Sequence, residues 1–103
     1  MRLSFIQKDV LFLLYAIEQK GGKNPVSSMA LLNSINDSRS RAIADKNFRA
    51  SCHKMVEHGV IELHRGEALK LRWKLTDFGR IRADFIYKEI LLEQENGYKI
   101  EKE

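Results

Sequence analysis

The sequence predicts a mainly α-helical domain carrying one small β-hairpin, on three observations. Apolar residues recur at helical spacing on both sides of the chain's middle, in 7–20 and again in 77–95. Between 61 and 75 they alternate with polar residues about a short turn, the period of a half-buried strand pair. Glycines stand where helices should stop, at Gly21-Gly22 and at Gly59. With 103 residues, 44% of them hydrophobic, there is material for one core and one domain.

The first helix is expected over 7–20. Leu3, Ile6, Val10, Leu13, Leu14 and Ile17 share one face, but Leu11, Phe12 and Tyr15 lie opposite, so the helix needs cover on nearly every side. Asn24-Pro25 predicts the next start, with asparagine as N-cap and proline at the first helical position, where its missing N–H is not needed. Val26, Met29, Leu32 and Ile35 make the buried edge of this second helix. In 36–44, Asp37, Ser38, Arg39, Ser40 and Arg41 favour turns while Ile43 calls for burial, which fits an extended turn or one with a short helical piece. A third helix is expected from a capping Asp45 to His58. Phe48, Cys52, Met55 and Val56 form its buried face, and Lys46, Asn47, Arg49, Ala50, His53 and Lys54 are left outward.

In the hairpin, Ile61, Leu63, Leu69, Leu71, Trp73 and Leu75 are expected inward, with Trp73 a core anchor; Glu62, His64, Lys70, Arg72 and Lys74 are expected outward. Arg65-Gly66-Glu67-Ala68 makes the turn. Thr76 caps a last helix over 77–95, on which Phe78, Ile81, Phe85 and Leu92 form one apolar sector and Ala83, Ile86, Tyr87, Ile90 and Leu91 another. The domain is thus expected over 1–95, with 96–103 a flexible charged tail.

This order of parts is that of a winged helix-turn-helix: a three-helix core, a two-stranded wing and a C-terminal helix. Charge follows the same plan. The net charge of +4 is concentrated in 38–74, where nine Lys and Arg face four Asp and Glu, whereas 75–103 is net negative. A cationic helix face with Asn47, Arg49 and the small Ala50 suits base reading in a major groove, with Lys46, Lys54 and His53 beside it. Arg65, Lys70 and Arg72 on the wing, and Arg39 and Arg41 before the helix, suit phosphate contact. The expected partner is double-stranded DNA. Two apolar sectors on one helix exceed what a small domain can cover, so a homodimer is expected through the spare face of the first helix (Leu11, Phe12, Tyr15) and through Ala83, Ile86, Tyr87, Ile90 and Leu91.

Two segments carry a family resemblance: Met55-Val56-Glu57-His58-Gly59-Val60-Ile61 and Trp73-Lys74-Leu75-Thr76-Asp77-Phe78-Gly79-Arg80. They resemble the "E-x-G-x-I" after the recognition helix and the "L-T-x-x-G-R" after the wing in winged helix-turn-helix transcriptional regulators of the broad MarR/PadR type. The resemblance implies that Lys46, Asn47, Arg49 and Ala50 occupy the base-reading part of the recognition helix and that Arg65 belongs to the wing. Residues 36–44 are longer than the turn of the simplest helix-turn-helix.

Other function classes find less support. Cys52 is the only cysteine, so no intramolecular disulfide forms and a reducing, cytoplasmic setting is expected. The apolar run at 10–17 is too short to span a membrane. Cys52, His53, His58 and His64 lack a metal-ligand spacing, and no phosphate loop or nucleophile motif is present; no enzyme, metal or cofactor is expected. A small-molecule effector is left unassigned. The principal alternative is a winged helix that binds another protein through its terminal helices, with the basic surface incidental.

Overall fold

A reciprocal cap opens the first helix. Ser4 Oγ accepts from the Gln7 backbone N–H at 3.2 Å while Gln7 Oε1 accepts from the Ser4 N–H at 3.0 Å, so α1 (Phe5–Gln19) starts two residues before the expected Gln7. The computed structural model describes the backbone of residues 2–102 and the side chains of residues 2–94. Helix α1 stops as expected: Gly21 takes φ +74°, its N–H reaches Glu18 O at 3.0 Å, and the Gly22 N–H reaches Ile17 O at 2.8 Å.

The second helix does not begin at Asn24-Pro25. Its cap is Ser27, whose Oγ accepts from the Ala30 N–H at 3.4 Å, and α2 runs Ser28–Asp37. Val26, expected on that helix, instead forms the two-residue strand β1 (Val26–Ser27), pairing with Trp73. The connection to the third helix contains no helical piece. Both ends of the Asn36 amide clasp Ile43, Nδ2 donating to its carbonyl at 3.2 Å and Oδ1 accepting from its N–H at 2.9 Å. Helix α3 (Asp45–Glu57) follows, with Ala44 at the cap position and no side-chain cap bond. Asp45 lies within the first turn rather than capping it, where its negative charge still suits the helix dipole, and pairs with Arg49 at 3.1 Å.

Helix α3 ends with Gly59 at φ +75°; the Gly59 N–H meets Val56 O at 2.9 Å and the Val60 N–H meets Met55 O at 3.2 Å. Strands β2 (Ile61–Arg65) and β3 (Leu71–Leu75) pair antiparallel in the register Ile61 to Leu75 and Leu63 to Trp73. With β1 on the other side of β3, the sheet has three strands, not two, in the order β1-β3-β2. Ile61, Trp73 and Leu75 are buried and Leu63 and Leu71 half-buried, as alternation requires, but Leu69 is 71% exposed. It belongs to the turn: the Lys70 N–H reaches back to Glu67 O at 3.3 Å, around Ala68 (φ 54°) and Leu69 (φ 57°). For a residue with a side chain, left-handed backbone is unfavourable by roughly 1–2 kcal/mol.

Helix α4 (Asp77–Lys102) crosses α1. Ala83 and Ile86 are buried, the Phe12 and Tyr87 rings stack at 5.4 Å, and the Tyr15 hydroxyl donates to Asp84 Oδ1 at 2.6 Å. This reverses the expected use of the two sectors. The sector containing Ala83, Ile86, Tyr87 and Ile90 packs on the chain's own α1, where Leu11 is fully buried, so these residues and the spare face of α1 cover one another within a single chain. Phe78, Ile81, Phe85 and Leu92 are each more than half exposed, and Leu91 stands 46% exposed beside them.

Thr76 joins the end of α3 to the start of α4. Its hydroxyl donates to Gly59 O at 2.5 Å and accepts from the Gly79 N–H at 3.0 Å, while its own N–H donates to Val60 O at 3.2 Å. At Gly79 a Cβ would overlap the Val60 carbonyl oxygen. Gly79→Ala is therefore expected to destabilise the protein by about 3 kcal/mol or more in urea denaturation, since backbone must move on one side or the other; a change under about 1 kcal/mol would contradict the close approach. Asp84 gives a pH signature. The Tyr15 hydrogen bond, then Lys88 at 2.9 Å, hold its carboxyl below the ordinary 3.8. Such a depressed carboxylate stabilises the fold above the ordinary value and loses that contribution as pH falls through the lowered one. In Tyr15→Phe, stability should fall less steeply on acidification from about pH 5 to pH 2, and a slope equal to wild type would contradict this.

Candidate nucleic-acid interface

The site is assembled from α3, the turn of the hairpin and the start of α2. Helix periodicity sends Phe48, Cys52 and Met55 into the core, which leaves Lys46, Asn47, Arg49, Ala50, His53 and Lys54 exposed over one continuous face. The inner face is anchored to the sheet as well. His53, though exposed, sets its ring edge-on to buried Trp73 at 5.4 Å, which ties the outward surface of α3 to the central strand.

Arg49 and Lys70 come together. Both line one groove with Asp45, Met29, Leu69 and Leu71, so the first turns of α3 and the tip of the hairpin share a flank. Arg49 is held there by Asp45. Among the described residues Lys46, Lys54 and Lys70 have no carboxylate partner, so their charge is uncompensated at short range. Arg65 is exposed and braces the turn, its Nη1 donating to Leu69 O at 3.3 Å. Arg72 is half-buried, with its guanidinium close against Gly66.

The arginines before α3 are placed elsewhere. Arg39 reaches back to Asp9 on α1 at 3.7 Å and donates through Nε to the Arg41 carbonyl at 3.4 Å, so neither lines the groove. Burial raises the Asp9 carboxyl above its ordinary value, opposed by Arg39. Met29 and Leu69, which do line it, lie outside the contacts expected from sequence; periodicity points each inward, yet each is more than half exposed. The signal against Leu69 was available, because a two-strand register starting at Ile61 and Leu75 leaves 66–70 for the turn.

Burial pushes the Cys52 thiol up to about 12, which leaves almost no thiolate near neutrality. His64 is bonded to Glu62 at 2.8 Å, and among the described residues no group of His, Cys, Asp and Glu is arranged to hold a metal ion. Among them, too, no helix is long and apolar enough to cross a membrane.

No family model matches the sequence, and no curated protein matches it. Solved structures do resemble it along nearly its whole length. SSV1 F-93 superimposes with a TM-score of 0.63 at 14% identity, covering 95% of this chain and 97% of that one. TA0346 of Thermoplasma acidophilum, named as a candidate transcriptional regulator, superimposes with a TM-score of 0.59 at 15% identity, covering 92% and 91%. Likeness at such identity concerns the fold: four helices and a three-stranded antiparallel sheet in a winged-helix arrangement.

Proposed function

We propose that this winged-helix protein is a DNA-binding transcriptional regulator, with α3 in the major groove of a duplex and the hairpin of β2 and β3 as a wing on the adjacent backbone or minor groove. The observation that carries this reading is the shared flank of Arg49 and Lys70, because a recognition helix and a wing can serve one duplex only from the same side. On it, Asn47 and Arg49 read base edges, with Ala50 allowing close approach, and Lys46, Lys54, Lys70 and Arg65 neutralise phosphates. Arg49 must exchange Asp45 for a base or phosphate, a replacement of one exposed ion pair by another, and so of small net energy. The two short motifs add a likeness to MarR/PadR regulators, and TA0346 adds a neighbour named for the same role.

The reading extends to a homodimer, with a contact other than the one expected from sequence. Phe78, Ile81, Phe85 and Leu92 make an apolar stripe at spacings of three, four and seven along α4, uncovered by the described residues. Pairing of this stripe with its symmetry mate would present two α3 helices to successive major grooves roughly 34 Å apart.

Electrophoretic titration at low salt should show binding to random duplex, and selection from a random pool should enrich an inverted repeat. Lys70→Ala should weaken every duplex alike, whereas Arg49→Ala should cost about 1–3 kcal/mol on the selected duplex and relax its specificity. Absence of any shift by the wild type would reject the function. In sedimentation, Ile81→Glu with Phe85→Glu should convert a dimer at micromolar concentration to a folded monomer; a wild type that is already monomeric there would reject the stripe as a dimer contact.

A further inference from the structure

A tight turn with two successive residues at positive φ is ordinarily built from Asn and Gly. The wing places Ala68 and Leu69 there, at φ 54° and φ 57°. The frame around them is well bonded: Gly66 N–H to Lys70 O at 2.9 Å, Lys70 N–H to Glu67 O at 3.3 Å, and Arg65 Nη1 to Leu69 O at 3.3 Å. What the frame displays is a leucine side chain left 71% in water. Two unfavourable features thus coincide at one residue, a backbone that leucine avoids and an apolar surface without cover, and neither helps the fold. Backbone strain of this kind clusters at sites of contact.

The surroundings indicate with what. Leu69 lies between Arg65 and Lys70 in sequence and shares its groove with Lys70, Arg49 and the Asp45 that pairs with Arg49, so cations outnumber the one carboxylate around an apolar tip. A protein pocket that accepted this leucine would have to be ringed by carboxylates, whereas a nucleic-acid groove supplies phosphates on both sides of an apolar stack of bases. Resting on the DNA-binding reading above, we propose that Leu69 is an apolar wedge that enters the minor groove at the wing's position and partly unstacks one base step, while Arg65 and Lys70 hold the flanking phosphates. Apolar side chains inserted between base steps act in this way, and the pyrimidine–purine steps TA and CA/TG open most readily. The wing then contributes selectivity through deformability, at bases it does not hydrogen-bond.

Leu69→Gly is the informative variant, because glycine adopts positive φ freely and should leave the fold at least as stable as wild type while deleting the wedge. The probes are the duplex selected from a random pool and derivatives carrying TA or a stiff AA step at each flanking position, with 2-aminopurine beside the step to report unstacking. Wild type should favour one TA placement by roughly fivefold or more and brighten its 2-aminopurine. Leu69→Gly should lose both effects, and Lys70→Ala should weaken all duplexes equally while keeping the preference. If wild type binds duplex but Leu69→Gly keeps the step preference and the fluorescence change, the wedge is overturned and DNA binding stands; a wing tip that meets a protein instead would give that result. If wild type binds no duplex, both readings fall together.

Discussion

Everything about the placement of the basic flank depends on the junction at Thr76. One hydroxyl there bonds the carbonyl that ends α3 and the amide that starts α4, and the neighbouring Gly79 lets the backbone of α4 approach the Val60 carbonyl closely. Gly59 supplies the left-handed residue that turns the chain out of α3 and into β2. Arg80, one residue on, ties the same point to α1 through Glu18, with Nε to Oε1 at 2.7 Å and Nη2 to Oε2 at 3.1 Å, and to Asp77 at 2.8 Å. Glu18 is largely covered and Arg80 about one-third exposed, so the pair lies between the roughly 1 kcal/mol of an exposed bridge and the 3–5 kcal/mol lost on breaking a buried one. Four elements therefore share one fixed point, and the angle between α3 and the hairpin follows from it.

The two motifs that carry the family resemblance are the two halves of this junction. Glu57-His58-Gly59-Val60-Ile61 supplies the left-handed turn and the acceptor carbonyls; Leu75-Thr76-Asp77-Phe78-Gly79-Arg80 supplies the hydroxyl, the close-approach glycine and the guanidinium. Their matching spacing in the chain is thus geometric in origin and belongs to the fold. The proposed base-reading positions, Asn47 and Arg49, lie outside both motifs.

The elements legible in the sequence were those with a repeating pattern or a local stop signal: α3 with its buried Phe48, Cys52 and Met55, the β2 and β3 pair, and the glycine ends at Gly21 and Gly59. What escaped was decided at a distance. Asn24 and Ser27 are both good caps, and the choice between them is made by Val26 pairing with Trp73, far along the chain. A helical wheel finds two apolar sectors on α4 but cannot say which one α1 will cover; the stacking of Phe12 on Tyr87 and the Tyr15–Asp84 bond decide it. In the candidate site, the outward residues of α3 were legible because they are the complement of the core face. The groove was not, since it depends on a turn whose left-handed residues, Ala68 and Leu69, are not glycines.

The sheet order has a consequence for how the molecule meets copies of itself. Trp73 and Arg72 of β3 are paired on both sides, so at the middle of the sheet the open backbone edges belong to β1, which is two residues long, and to β2. Along β2, Glu62, His64 and Arg65 are exposed. A stub on one margin and charged side chains on the other are poor templates for adding a foreign strand. Amyloid-like stacking is disfavoured by construction.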